Sequence, residues 1–320
     1  MPDQSGKVAI VTGGNSGIGF ETVRGLMRKG ARVYMACRSH ERAAKAIELL
    51  RREGEDWPGE VKFLSCDLAD MESIHSSTEE FARQESQLHI LICNAGAANP
   101  QLGSKTSQGY DLTLGTNVLG HQQFIRDLLP ILQKTANTLQ SSNSDHGVRV
   151  HLTSSWAHNF HQPSGFDVND PEWTDRVEMG LFGKQLTVNP KGPIREVLKY
   201  GQSKFLNVCQ AKKFHRMYGD KGIVFTSSDP GNNVSELLRN RDPITNLFFN
   251  YVVTPLILFH PKFGAISQLY ACTAPEAHML GGQYLAPWAR IAPASPIAED
   301  RRVQDISYEW LNKQITKNGY

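Results

Sequence analysis

A glycine-rich run, Thr12-Gly13-Gly14-Asn15-Ser16-Gly17-Ile18-Gly19, sits between an apolar β-type segment, Val8-Ala9-Ile10-Val11, and a helical pattern from Phe20 to Lys29 that stops at Gly30. Strand, tight turn and helix in that order form a βα unit whose turn can seat a phosphate. Glycines let the backbone bend and let a pyrophosphate approach with no Cβ in the way. The helix N-terminus adds free N–H groups and a partial positive charge. A glycine cluster alone can equally be a structural turn; its place between strand and helix favours a nucleotide seat.

The alternation continues along the chain. Val33–Cys37, Val61–Cys66, His89–Cys93, Val148–Thr153 and Ile223–Ser228 read as strands. His40–Glu53, Met71–Gln84, Gly109–Lys134 with a bend near Pro130, and a pattern running to Met217 read as helices. Short apolar strands separated by helices imply a doubly wound parallel sheet with helices on both faces, a Rossmann-type α/β fold. No repeat, low-complexity tract or composition break divides the 320 residues, so a single domain is expected. Two stretches interrupt the pattern: an irregular insertion at 156–192, and 232–262, read as a lid. Both fall at the C-terminal edge of the sheet, where open α/β folds bind ligands.

A formal charge of +2 gives no reason to expect nucleic acid as a partner. The cysteines, Cys37, Cys66, Cys93, Cys209 and Cys272, are odd in number and contain no Cys-x-x-Cys. They read as reduced thiols of a cytoplasmic protein, with no zinc site. His158 and His161 lie three apart with no third ligand nearby, so no metal is expected. The first six residues are polar and lead straight into the first strand, so no signal peptide is expected. Leu247–Phe259 is the most apolar stretch, but it is broken by Asn250 and Pro255 and is too short to span a bilayer. It reads as a buried helix or a lid, with peripheral membrane contact as the alternative.

Tyr200 and Lys204, spaced i, i+4 within a helical pattern, share one face. An ammonium beside a phenol favours the phenolate, so such a tyrosine can act as acid or base nearer neutrality. Ser154-Ser155 close a strand where a hydroxyl could hold a carbonyl oxygen. Asn117 lies mid-helix, where asparagine is a poor fit unless its side chain is needed for a hydrogen bond. Each has a plainer reading: a surface pair, a polar strand end, a helix kink.

Together, Thr12-Gly13-x-x-x-Gly17-x-Gly19, Asp67, Asn94-Ala95-Gly96, Asn117, Ser155, Tyr200-x-x-x-Lys204 and Pro230-Gly231 occur in the order found in one family. The chain resembles the short-chain dehydrogenases/reductases over roughly residues 6–290. Gly281-Gly282-Gln283-Tyr284-Leu285 and the run from Pro230 to Leu237 resemble the retinol-dehydrogenase-like branch and its fungal relatives. The resemblance implies an oxidoreductase acting on a small carbonyl or alcohol substrate, with a place in secondary metabolism. It implies that Tyr200 donates the proton, that Lys204 lowers its pKa and holds the nicotinamide ribose, and that Ser155, rather than Ser154, holds the substrate oxygen. It further implies that Asn117 supports a proton relay through water to Lys204. Gly13, Asn15, Ser16, Gly17, Ile18 and Gly19 would seat the pyrophosphate, and Asp67 with Leu68 would meet the adenine. Asn94, Ala95 and Gly96 would line the adenosine ribose region, while Pro230, Gly231 and Ser235 would meet the nicotinamide carboxamide.

Cofactor choice has a physical reading. NAD-using sites commonly end the second strand on an acid that binds the ribose 2′-OH. Here that position holds Cys37, followed by Arg38 and Ser39; a guanidinium suits a 2′-phosphate, which points to NADP(H). The gap from Ser155 to Tyr200 is long, and its Trp156, His158, Phe160, His161, Phe166 and Trp173 are expected to roof the site over a bulky apolar or aromatic carbonyl compound. The leading expectation is an NADPH-dependent carbonyl reductase. The alternatives are a nucleotide-binding redox sensor without catalysis, and a lyase or epimerase that uses the cofactor without net turnover. A monomer or homodimer is expected.

Overall fold

Every residue of strand β1 (Val8–Thr12) is buried, and its side chains alternate between two cores. Ala9 and Val11 join the core formed with α1 (Gly17–Met27), β2 (Arg32–Cys37) and α2 (His40–Glu53). Val8 and Ile10 face the opposite core. That core is built with β3 (Glu60–Ser65), α3 (Met71–Gln84) and β4 (Ile90–Cys93), and it takes in helices from later in the chain. The computed structural model describes residues 1–98, 100–101, 103–141, 147–173, 177–181, 184–188, 193–231 and 259–320, with backbone alone at 177–181, 184–188 and 193–194.

The next helical rod begins at α4 (Leu112–Leu114), passes through a π-helical turn at Gly115–Gly120 and continues as α5 (His121–Ser141). Then come β5 (Val148–Thr153), a hairpin of β6 (Val177–Leu181) and β7 (Lys184–Val188), and α6 (Pro193–Tyr218). The chain ends with β8 (Ile223–Ser228), α7 (Pro261–Thr273), β9 (Tyr284–Ala286), β10 (Arg290–Ala292) and α8 (Arg301–Lys317). The main sheet has eight strands in the order β3-β2-β1-β4-β5-β8-β9-β10. It is parallel up to β9, and β10 returns antiparallel.

The strand order reverses at β1, whose neighbours are β2 and β4. At such a reversal the loops leaving adjacent strands diverge and open a crevice at their C-terminal ends. The doubly wound sheet expected from the sequence is therefore present, as one sheet, with α1, α2 and α7 on one face and α3, α5 and α6 on the other. α8 covers α6 from outside, with Leu311 and Ile315 packed among Phe205, Val208 and Cys209.

Three local features differ from the sequence reading. The insertion at 156–192, expected to be irregular, carries the β6–β7 hairpin. The short β9–β10 pair extends the sheet beyond β8. The long helix runs past Lys134 to Ser141 with Pro130 inside it, and its departure from α geometry lies at Gly115–Gly120, around Asn117. All five cysteines are free and buried. Among the described residues no helix is long and apolar enough to cross a membrane. The apolar run expected at Leu247–Phe259 lies outside the described residues except for Phe259, and so does most of the lid expected at 232–262.

Candidate active site

The crevice at the strand reversal is a cavity of about 480 Å³, within the range usual for small-molecule sites. The turn after β1 supplies one wall through Gly13, Asn15, Ser16, Gly17, Ile18 and Gly19. Gly13 takes a positive φ of 65°, open to glycine at little cost. A Cβ on Gly19 would stand 2.3 Å from Gly13 O and 2.6 Å from Asn94 Nδ2, so only glycine fits there. Ser16 precedes α1 in extended conformation without capping it through its side chain, which leaves the first amides of α1 open toward the cavity. Gly19→Ala is expected to lower stability by about 1–3 kcal/mol through overpacking against backbone. A urea-unfolding midpoint equal to that of the parent protein would contradict this packing.

The far end of the cavity is basic. Arg38, Ser39 and Arg42 line it beside Cys37. Ser39 caps α2 by accepting from Arg42 N, which sets the first turn of that helix against the cavity. Arg42 is a second cation that the sequence reading missed; its signal was its place in the first turn of α2, one turn after Arg38. Asp67 and Leu68 line the same end, and Asp67 Oδ1 accepts from Ala69 N at 3.0 Å.

Asn94, Ala95 and Gly96 form the floor. The Asn94 carboxamide is engaged within the protein, donating to Thr12 O at 2.9 Å and accepting from Gln268 Nε2 at 3.4 Å. Its part is thus to fix the turn rather than to offer that amide to the cavity. Thr12 Oγ1 accepts from Asn94 N (2.9 Å) and Ala95 N (3.0 Å) and meets His121 Nε2 at 3.0 Å. Burial holds His121 neutral, with its pKa pushed down to about 4. With Nε2 taking the Thr12 hydroxyl proton, Nδ1–H donates to Asn117 O at 3.1 Å.

Gly96 joins the cavity to a second cluster. A Cβ placed on it would lie 3.4 Å from Asn117 Oδ1 and 3.5 Å from Lys204 Nζ. Asn117 is fully buried; its Oδ1 accepts from Ala97 N (2.7 Å), and its Nδ2 donates to Ala97 O (3.0 Å) and Ser203 Oγ (2.9 Å). Ser155 begins the turn after β5, its hydroxyl accepting from Ala157 N at 3.2 Å and hydrogen-bonding the Tyr200 phenol. Ser154 Oγ instead donates to Lys204 O at 2.7 Å, so of the pair it is Ser155 that faces Tyr200.

The expectation that Lys204 lowers the Tyr200 pKa is not what this structure shows. Burial pushes the phenol up to about 12, the Ser155 hydrogen bond opposes this, and the Asp229 carboxylate adds to it. The Lys204 ammonium, itself pushed down to about 8 by burial, donates to Thr153 O at 2.8 Å and lies 5.6 Å from the Tyr200 ring centroid. One of its N–H groups is thus held by the Thr153 carbonyl.

Asp229, which the sequence reading passed over, ends the β8 segment just before Pro230-Gly231. Its Oδ1 accepts from Gly231 N at 2.8 Å, and a second bond comes from the Trp156 backbone. It thereby ties the Pro230-Gly231 turn to the loop that carries Ser155. Ser235 lies outside the described residues.

Among the described residues, His158, His161, Phe166 and Trp173 do not form the aromatic roof expected of the insertion. His158 takes a bond from Ser295 N at its Nε2 (3.0 Å), so its Nδ1–H donates to Ser155 O (2.7 Å). His161 meets Ser295 Oγ at 2.7 Å and packs on Phe205. Phe166 packs on Trp310, and Trp173 is buried against Leu198. These four serve packing against α6, α8 and the 295 loop. Trp156 remains, 59% exposed, edge-on to Phe160. Among the described residues no group of three or more His, Cys, Asp or Glu could hold a metal.

Residues 7–150 match the model of the short chain dehydrogenase family. A short-chain dehydrogenase/reductase of Armillaria gallica is 39% identical over 314 residues, 98% of this chain and 92% of the relative. Two solved structures share the fold. RhlG of Pseudomonas aeruginosa, in an active-site complex with NADP, has 22% identity and a TM-score of 0.64 over 90% of this chain and 96% of its own. A 3-ketoacyl-(acyl-carrier-protein) reductase of Brucella melitensis complexed with NADH has 18% identity and a TM-score of 0.61 over 88% and 96%. Identity at the level of the fungal relative, along nearly the whole of both chains, makes this protein an oxidoreductase of the short-chain dehydrogenase/reductase family.

Proposed function

We propose that the protein is an NADPH-dependent carbonyl reductase, which acts as an alcohol dehydrogenase in the reverse direction. The observation that carries this reading is the pairing of Ser155 with the Tyr200 phenol next to Lys204, whose Nζ stands close to Gly96 on the cavity floor. The open α1 terminus and the Gly13–Gly19 wall fit a pyrophosphate, and Arg38 with Arg42 fits a ribose 2′-phosphate. A nicotinamide dinucleotide bound there supplies a hydride to a carbonyl carbon. RhlG's complex with NADP is in keeping with this choice, and the NADH complex of the Brucella melitensis reductase shows that the fold alone does not fix it.

Ser155 holds the carbonyl oxygen by its hydroxyl, and Tyr200 donates its phenolic proton to that oxygen as negative charge develops. A phenol held at about 12 is protonated throughout the neutral range, as a proton donor must be. Lys204, fixed on Thr153 O, presents its ammonium beneath the phenol. Trp156, exposed beside Ser155, favours an apolar or aromatic carbonyl compound. The buried free thiols support a cytoplasmic setting.

The test is NADPH oxidation by the purified protein with a panel of aromatic and aliphatic ketones and aldehydes. Stoichiometric alcohol formation with at least one member is expected. Tight NADPH binding without oxidation across the panel would favour a sensor, and product formed without NADPH consumption would favour a lyase or epimerase.

A further inference from the structure

A row of buried carboxamides runs behind Lys204. Asn207, one helical turn further along α6, places its Oδ1 3.5 Å from Lys204 Nζ, while its Nδ2 donates to Asn117 O at 2.9 Å and to Gln210 Oε1 at 3.1 Å. Gln210 Nε2 in turn donates to Val118 O at 3.2 Å and to Gln122 Oε1 at 2.9 Å. Gln122 Nε2 completes the row by donating to Asn312 Oδ1 on α8 at 3.1 Å. Asn207, Gln210 and Gln122 are all buried.

The row depends on the π turn. Within the π turn at Gly115–Gly120, Asn117 O accepts from both Asn207 Nδ2 and His121 Nδ1. Buried amides are tolerated only when partnered, so a chain of them that ends on an ammonium constrains each member's orientation.

We infer that Asn207 is a positioning residue that joins Lys204 to the Asn117 carbonyl through its side chain. Lys204 is thereby held by two oxygens, Thr153 O and Asn207 Oδ1. The inference rests on the reading of Tyr200 and Lys204 as the reducing pair, but its structural content can be tested apart from it. Among the described residues, the titratable groups acting on this cluster are Tyr200 on the same helix, neutral His121 from α5, and Asp229 after β8.

The experiment compares the parent protein with Asn207→Asp and Asn207→Leu. The first readout is the titration of Lys204 Nζ by 15N NMR on lysine-labelled protein, assigned with Lys204→Arg; it needs no turnover. The second is the pH profile of NADPH oxidation with 4-nitrobenzaldehyde as the probe carbonyl. In Asn207→Asp a carboxylate faces the ammonium, so the Lys204 titration and the alkaline limb should both move up by about one unit. In Asn207→Leu both should move down, with kcat reduced about tenfold and KM unchanged. If Asn207→Leu does not fold, the near-isosteric Asn207→Asp decides alone. A Lys204 titration unmoved in Asn207→Asp overturns the inference. A moved titration in a protein that oxidises NADPH with no probe upholds the inference and counts against the carbonyl-reductase reading.

Discussion

Tyr200→Phe should lower the rate of carbonyl reduction about 10²–10⁴-fold, the range general acid catalysis contributes, while NADPH binding stays as in the parent protein. The phenyl ring fills the same half-buried space, so the loss is confined to one hydroxyl. That hydroxyl is the hydrogen-bond partner of Ser155, and Lys204 Nζ stands 5.6 Å from the ring. No other described group at this end of the cavity pairs a proton-bearing oxygen with Ser155. Ser155→Ala removes the other half of the pair and should act on the same step. Because the two residues serve one oxygen, the double variant should be little worse than Tyr200→Phe alone. Single-turnover rates with NADPH fluorescence as the binding readout check both statements. Near-normal turnover in Tyr200→Phe would remove the tyrosine from the chemistry.

Arg38→Glu should weaken NADPH about 100-fold and leave NADH nearly unchanged. A charge-assisted bond to a 2′-phosphate is worth roughly 1.5–3 kcal/mol, and reversing the charge adds repulsion to that loss. The 2′-hydroxyl of NADH meets no such penalty and can donate to the new carboxylate. Arg42, on the first turn of α2 and lining the same end of the cavity, should respond in the same direction with a smaller effect. Dissociation constants for the two dinucleotides, measured at one ionic strength, decide the matter. An unchanged preference in Arg38→Glu would take Arg38 out of cofactor selection.

The sequence was most legible where structure is local. The strand periodicity of β1 and β2 and the apolar spacing of α2 and α3 placed those elements closely, because each is set by side chains within a few residues of one another. The glycine loop was legible for the same reason. What escaped was set by partners far along the chain. At the π turn, Asn117 O accepts from Asn207 Nδ2 on another helix, and no local pattern announces it. The i, i+4 spacing put Tyr200 and Lys204 on one face, but the ammonium's commitment to Thr153 O is a property of β5. The insertion aromatics read as a roof because their composition says nothing of direction. Trp310 and Phe205, from α8 and α6, draw Phe166 and His161 inward.

The most direct measurement of the central claim follows deuterium. The protein is incubated with NADPH carrying deuterium at both C4 positions of the dihydronicotinamide and with a carbonyl compound that the panel identifies, and the alcohol is analysed by mass spectrometry and NMR. The account requires one deuterium on the carbinol carbon, on one face only, with one NADP formed per alcohol, and transfer slowed about 10²–10⁴-fold in Tyr200→Phe. An alcohol free of deuterium, or both deuteriums retained on the cofactor while product accumulates, would contradict it.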